Sequence, residues 1–406
     1  MPTPPKPPTS RGTCRARGAA TMTDMVPPAS NAIAGLILAG GLSRRMGGGD
    51  KPLISVGGQS LLERVIDRLR PQVGPMVLNA NGDPVRFADT TLPVVPDVLD
   101  GYGGPLVGVL TGLEWLRDHT FDVEWMVSVA ADTPLFPDDL VDRLHKAAVE
   151  QNADIVVARS GEQAHPVFAL WPLRLAAELR RAVVDEGMRK IDAWTERYRV
   201  AHVDWPTRPH DPFFNVNTPE DVMRLGMILD GTLPAEPPLS AETGIAVLVE
   251  RRDGATQWIK DSWRPLEALV DAPEGGPWTL LRRDTGFEHY LAGGVKVVLH
   301  RSDITSYRYN LAGLEPRLYV VLRHTGEADM PVKVVMATIA PDEAQAMSES
   351  GEDMVDGVPL PRALFDWAMA FCACHPPDEP MRKRKRDKLD SDKVFGAKGR
   401  NASPGD

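Results

Sequence analysis

The run I-A-G-L-I-L, 33–38, carries no charged side chain and leads directly into Gly40 and Gly41. Arg44, Arg45, Gly47, Gly48, Gly49, Asp50 and Lys51 follow within ten positions. A short apolar run bounded by glycine reads as a buried strand. Glycine lets consecutive backbone N–H groups converge on an anion, the arginines add planar forks of donors, and the lysine adds a point charge. A buried strand that ends in a polyphosphate cradle suits an open sheet whose ligands sit at the carboxyl ends of its strands, with a Gly-rich surface turn beside an edge strand as the plain alternative.

The chain that follows supplies such a sheet. Apolar runs at 76–79, 92–95, 125–130, 155–158 and 167–170 read as further strands, and amphipathic stretches at 60–69, 105–117, 138–151 and 172–184 read as helices between them. Ser60 with Glu63 three positions on, and Pro137 beside Asp138 and Asp139, are helix-start signals. Strand and helix in alternation, with strands apolar on both faces, predict a mainly parallel sheet covered by helices on each side.

Composition narrows the class. A chain of 406 residues exceeds one domain of about 150 residues, and 43% hydrophobic with 25% charged residues is the balance of a globular protein. The net charge of −10 argues against nucleic acid as a partner. No stretch reaches the roughly 18 apolar residues of a membrane span. Residues 1–31, rich in Pro and with Arg11, Arg15 and Arg17, lack the apolar segment of a secretory signal and read as a disordered extension, with Met22 or Met25 as alternative starts. Three cysteines, Cys14, Cys372 and Cys374, make no disulfide framework, so a cytoplasmic enzyme is expected.

Polar residues follow the strands as the sheet requires: Asn79 and Asn81 after the second, Asp97 after the third, and Asp132 of A-A-D-T-P after the fourth. A lone carboxylate at the mouth of a buried strand suits Mg²⁺, which keeps several waters and bridges phosphates, although an Asp before Thr-Pro also serves as a plain turn former. G-G-P-L-V-G, 103–108, opens a helix, where Gly104 either brings backbone close to a nucleotide or simply punctuates the helix start. His165-Pro166 precedes the run at 167–170. In F-F-N-V-N-T-P-E-D, 213–221, Thr218 reads as a cap, and the period of two puts Asn215 and Asn217 on one face.

Taken in order, L-A-G-G-L-S-R-R-M-G-G-G-D-K, N-A-N, P-D, G-P-L-V-G, A-D-T-P, H-P-V and N-V-N-T-P-E-D resemble the molybdenum cofactor guanylyltransferase family over about 33–229. The resemblance implies a three-layer Rossmann-like nucleotidyltransferase domain over 32–230. It implies transfer of GMP from GTP to molybdenum-molybdopterin, with Leu38, Ala39, Gly40, Gly41, Lys51, Asn79, Asp97, Gly104 and Asp132 on the nucleotide and Asp132 on Mg²⁺. Arg45 joins Lys51 and Asp132 as catalytic, and Arg45, His165, Asn215 and Asn217 match the pterin side. One residue more than the family pattern separates Asp97 from G-P-L-V-G. The CTP-dependent cytidylyltransferase is the nearest alternative; Gly41, Asp50 and N-V-N-T-P favour GTP. A non-catalytic cofactor carrier or chaperone is the other.

A proline-rich linker is expected at 231–242, then an α+β domain over 243–378 with strands at 245–250, 279–281, 295–300, 318–322 and 332–339 and helices at 341–350 and 360–374. Its W-R-P-L-E, Y-N-L and E-D-M-V-D-G-V-P-L-P segments resemble a bacterial family of unassigned function connected with molybdoenzymes such as formate dehydrogenase; the fusion alone suggests a molybdoenzyme or maturation factor as partner. Cys372, Cys374 and His375 lack a second ligand pair and read as a buried helix end rather than a zinc site. In the charged tail, 379–406, the segment 381–400 holds nine Lys or Arg against three Asp, a solvated run with weak docking to an acidic partner or RNA as the alternative.

Overall fold

The computed structural model describes residues 32–40, 50–101, 104–120, 122–256, 259–270, 278–327, 331–349 and 351–376. The chain divides into two units, Met1–Ala235 and Glu236–Asp406.

The first unit runs β1 (Ile33–Leu38), the hairpin β2 (Ser55–Val56) and β3 (Gln59–Ser60), α1 (Leu61–Leu69), β4 (Met76–Asn79), β5 (Val94–Val95), α2 (Pro105–His119), β6 (Trp125–Ala130), α3 (Leu140–Glu150), β7 (Ile155–Ser160), β8 (Gln163–Pro172), α4 (Ala176–Val184), α5 (Ile191–Thr195), β9 (Val200–Trp205) and α6 (Pro219–Leu229). Seven strands form one sheet in the order β5-β4-β1-β6-β8-β7-β9. β8 alone runs antiparallel to its neighbours. Alternation along β1 sorts the layers: Ile33 and Ile37 pack with Leu62, Ile66 and Leu144 of α1 and α3, while Ala34 and Leu36 pack with Leu110, Leu113 and Leu179 of α2 and α4. The three layers are those expected for a nucleotidyltransferase-like α/β fold.

α1 starts where the sequence says it should. The Ser60 hydroxyl accepts from Glu63 N–H at 3.2 Å, and the Glu63 carboxylate accepts from Ser60 N–H at 2.7 Å. Leu61, Leu62, Val65, Ile66 and Leu69 are then buried, each worth about 1.5–3 kcal/mol against exposure.

Some elements depart from expectation. β8 is longer than 167–170 and contains His165 and Pro166 rather than following them; the register jumps from Val157↔Ala169 to Ala158↔His165, so Pro166 falls in the irregularity, where no ladder N–H is needed. β5 keeps only Val94–Val95 of 92–95, because Pro93 has no N–H to give to a ladder. The helix at 172–184 opens as a 3₁₀ turn, Leu173–Leu175. β9 and α5 carry too few periodic positions to be read from sequence.

The second unit, taken by itself, comprises β10 (Ser240–Thr256), β11 (Ile259–Val270), β12 (Thr279–Asp284), β13 (Phe287–His300), α7 (Ile304–Leu311), β14 (Arg317–His324), β15 (Val332–Thr338), α8 (Pro341–Glu349), β16 (Asp353–Pro359) and α9 (Arg362–Ala373). Its sheet runs β11-β10-β13-β15-β14-β16, with β12 also on β13. Pairing is antiparallel apart from a parallel bridge between Val297 and Ala337. The expected linker is shorter than 231–242: Ser240, Ala241 and Glu242 already continue the ladder against His300, Leu299 and Val298. β11 escaped the sequence reading because Pro265 interrupts it, seated at a register shift.

The motif residues of this unit have structural duties. Asn310 of Y-N-L is buried and satisfies both ends of its amide, donating to the carbonyls of Arg317 and Ile339 at 2.7 and 2.8 Å and accepting from Arg317 N–H at 3.0 Å. Trp263 of W-R-P-L-E clusters with Trp278 and Tyr290, which also touch each other. Cys372 and Cys374 are buried at the end of α9. No cluster of three metal-ligating side chains occurs among the described residues.

Candidate active site

The register of β1 decides where the polar residues meet. Leu38 lies level with Asn79 of β4 on one side and Ala130 of β6 on the other, so the three carboxyl ends form one rim. Two backbone bonds close it: Ala39 N–H to the Asn79 carbonyl at 2.9 Å, and Ala131 N–H to the Leu38 carbonyl at 3.0 Å. Gly40 follows, exposed, with nothing among the described residues within 4 Å of where a Cβ would stand. Gly41, Arg44 and Arg45 lie outside the described residues.

At the β6 end, Lys51 is held by the 3₁₀ turn Lys51–Leu53, with its side chain 15% exposed. Its Nζ donates to Asp132 Oδ2 at 2.5 Å and to Asn217 Oδ1 at 2.6 Å. Thr133 Oγ1 donates to the second carboxylate oxygen, Asp132 Oδ1, at 3.2 Å, and to Asn215 Oδ1.

A small core cluster brings the asparagines there. Val216 is fully buried with Val56, Leu61, Leu135 and Leu225, and its N–H donates to the Asp132 carbonyl at 2.9 Å. Side chains alternate in extended backbone, so burying Val216 turns both neighbours the other way, toward Thr133 and Lys51. Asp221 Oδ2 then accepts from the N–H groups of Asn217 and Thr218, both at 2.8 Å. Thr218 is the expected cap of α6.

At the β5 end, Asp97 is gripped by amides. Asn79 Nδ2 donates to Asp97 Oδ1 at 2.9 Å, and Asn81 Nδ2 donates to Asp97 Oδ2 at 2.8 Å while its Oδ1 accepts from Asp97 N–H at 2.8 Å. The order β5-β4-β1-β6 strings the two ends along one edge of the sheet, three strand intervals or roughly 14 Å apart. That is the scale of an extended nucleotide, with a carboxylate at each end and a glycine rim between.

α2 packs unusually close to this rim. Gly104 caps it at φ 118°, a conformation open to glycine, and a Cβ on Gly108 would stand 2.5 Å from both Asn79 Oδ1 and Leu38 Cδ2. Gly104 therefore serves the helix start, and Gly108 the close packing of α2 on β1 and β4.

His165 packs against the segment that carries Asn215 and Asn217. Its ring stacks on Phe213 with centroids 4.6 Å apart, and Nε2 lies 2.7 Å from Ser160 Oγ, which donates in turn to Asp211 Oδ2 at 3.0 Å. Asp211 also accepts from Phe213 N–H at 2.9 Å, so this chain of contacts anchors the segment carrying the two asparagines. Sequence reasoning missed Ser160, Asp211 and Arg86, each of which has one partner 36 or 51 positions away, and took Thr133 for a turn residue.

Asp132 offers one carboxylate, about a quarter exposed, at the mouth of a strand. That fits Mg²⁺, which needs one or two protein carboxylates and takes the rest of its shell from water and phosphate.

Residues 35–200 match the family described as MobA-like NTP transferase domain, and residues 244–385 match a family described as Protein of unknown function (DUF3305). The molybdenum cofactor guanylyltransferase of Rhodopseudomonas palustris (strain BisB5) is 58% identical over 195 residues, which cover 48% of this chain and 91% of that protein. Its namesake in Nitrobacter hamburgensis is 54% identical over 201 residues, 50% of this chain and 94% of the relative. A solved structure of molybdopterin-guanine dinucleotide biosynthesis protein A from Archaeoglobus fulgidus is 25% identical, covers 49% of this chain and 99% of its own, and has a TM-score of 0.39.

Proposed function

The chain belongs, through its first unit, to the molybdenum cofactor guanylyltransferase family and is a nucleotidyltransferase; from that premise we propose that it transfers GMP from GTP to the terminal phosphate of molybdenum-molybdopterin, releasing pyrophosphate. The observation that carries this reading is the convergence of Lys51, Asp132 and Asn217, from three separate stretches of chain, on the same sheet edge as the Asn79–Asn81–Asp97 cluster.

A terminal phosphate monoester is largely ionised at neutral pH, with a second pKa near 6, so the nucleophile needs no general base. Its oxygen attacks the α-phosphorus of GTP, the bond to the bridging oxygen breaks, and the electron pair leaves on pyrophosphate. The protein must align two polyanions and offset their repulsion, which is positioning and electrostatics. Lys51 exchanges its carboxylate and amide partners for phosphate oxygens as the nucleotide enters. Asp132 would hold Mg²⁺, which would supply neutralisation of phosphate charge. Asn215 and Asn217 orient the pterin phosphate, with Arg45 adding charge from the glycine loop.

Base choice follows from Asp97. With one amide donor on each carboxylate oxygen, its remaining lone pairs suit the N1–H and N2–H donors of guanine. Cytosine has a single donor on the corresponding edge, N4–H, beside the N3 and O2 acceptors, so it cannot offer two adjacent donors to the carboxylate. We assign the second unit a binding role toward a molybdoenzyme or maturation factor; a pull-down with the full chain that retains neither would count against it. No helix among the described residues is long and apolar enough to cross a membrane.

The catalytic assignment is tested with GTP labelled on the α-phosphate. Lys51→Ala and Asp132→Ala should fold and lose label transfer to molybdenum-molybdopterin; a variant that transfers at the wild-type rate would strip its residue of a catalytic role.

A further inference from the structure

We infer that Arg86 is a positioning residue that ties the lysine end of the nucleotide site to its aspartate end. The inference rests on the guanylyltransferase reading for the identity of the nucleotide, and on geometry for the rest.

Arg86 spends its fork on two elements. Nη1 donates to Asp50 Oδ1 and Nη2 donates to the main-chain carbonyl of Asn81. The guanidinium carbon lies 4.6 Å from the centroid of Phe87, itself buried at 2% exposure, so the plane is held from a third side.

Each contact continues into the site. Asp50 immediately precedes Lys51, and its carbonyl accepts from Leu53 N–H at 2.8 Å to start the turn that carries the lysine. Its carboxylate makes no capping bond to that turn, and Arg86 engages it instead. Asn81 grips Asp97 twice through its side chain, both contacts at 2.8 Å. One guanidinium therefore joins Lys51, through the chain at Asp50, to Asp97, through Asn81. A nucleotide bound across the rim meets two ends whose separation Arg86 fixes.

An isolated surface ion pair would not have this effect. Arg117 and Asp118 are adjacent in sequence, about half exposed and bound to each other, the kind of pair worth little to stability or function. The Arg86–Asp50 pair is less exposed, at 29% and 36%, and spans 36 positions between two parts of the site. Lysine would keep the charge and lose the fork.

The test measures the GTP dissociation constant of the full chain by calorimetry, and transfer to molybdenum-molybdopterin in parallel. Arg86→Met and the near-isosteric Asp50→Asn should each weaken GTP binding about tenfold, the scale of one charge-assisted contact. The double variant should be no weaker than either single one, because both break the same link. Arg86→Lys should resemble Arg86→Met, and Arg117→Met should resemble wild type. Wild-type GTP affinity in Arg86→Met or Asp50→Asn, or losses that multiply to about a hundredfold in the double variant, would overturn the inference. If Arg86→Met fails to fold, Asp50→Asn and Arg86→Lys decide it. Wild-type protein that binds GTP without transferring GMP sinks the transfer reading alone, since the affinity comparison still stands; wild type that binds no GTP overturns both.

Discussion

Replacing Gly108 by alanine is a small change that should injure the site more than the fold. An added Cβ would sit 2.5 Å from Asn79 Oδ1 and 2.5 Å from Leu38 Cδ2, where ordinary contact begins at 3.4 Å. Something must yield by roughly 1 Å, because a packed interior has no void to absorb it. The Asn79 carboxamide moving that far would carry Nδ2 from 2.9 Å to beyond hydrogen-bond reach of Asp97 Oδ1. A lost bond to a charged group is worth about 1.5–3 kcal/mol, or roughly 10- to 150-fold in kcat/KM for GTP. Stability should change less, since the gain of about 1 kcal/mol from Gly to Ala in a helix partly offsets an overpacking cost of about 1–3 kcal/mol. Gly112, one turn further along α2, is the control: its Cβ would meet Leu36 and Met126 side chains at 2.7 to 2.9 Å, in the core and away from Asp97. Steady-state kinetics and thermal unfolding on both variants separate the effects. Both variants should lower Tm modestly, and only Gly108→Ala should lower kcat/KM for GTP. A folded Gly108→Ala that kept kcat/KM for GTP within about threefold of wild type would refute the close-approach argument.

Three further outcomes are expected. Ser160→Ala removes the hydroxyl between His165 and Asp211, leaving both short of a partner at a cost of about 1–3 kcal/mol, and should raise KM for molybdenum-molybdopterin more than KM for GTP; equal effects on both substrates in titrated kinetics would contradict the anchoring role. Chelation of divalent cations should abolish transfer and Mg²⁺ should restore it, while Asp132→Asn should need far more Mg²⁺ for half-maximal rate; an unchanged requirement would remove Asp132 as the ligand. In the second unit, burial raises the Glu250 pKa, but hydrogen bonds from Arg252, His289 and Arg264 more than offset this and hold it at about 2 against an ordinary 4.5. A depressed carboxylate stabilises the fold above pH 4.5 and loses that contribution as pH falls toward 2. Glu288, held at about 2 by Tyr290 and Arg251, titrates in the same window, so Glu250→Gln should flatten the acid limb of a Tm-versus-pH curve in part; an unchanged slope would rule out the shift.

The layers of the first unit were legible because local and global signals agree there. The run 33–38 is apolar on both faces, Ser60 and Glu63 mark a helix start, and the Asn and Asp residues after strands sit where an open sheet binds ligands. What was hidden depends on distant pairing. His165 looked like a residue before a strand, because nothing local reveals the register shift that draws Pro166 into β8. Ser160, Arg86 and Asp211 carry no local pattern, and each matters by joining near neighbours to a partner 36 or more positions away. The Asn215/Asn217 alternation was visible, but not the buried Val216 that aims it. In the second unit, Pro265 and the short polar runs of β16 concealed strands that only the assembled sheet defines.

The central claim is best tested by the product. The purified 406-residue chain, Mg²⁺ and molybdenum-loaded molybdopterin would be incubated with GTP or with CTP, and the dinucleotide formed would be identified by mass spectrometry alongside pyrophosphate release. The guanine dinucleotide with stoichiometric pyrophosphate, and little or no cytosine product, is the expected result. A cytosine dinucleotide as the main product, or bound cofactor with no transfer from either nucleotide, would contradict it.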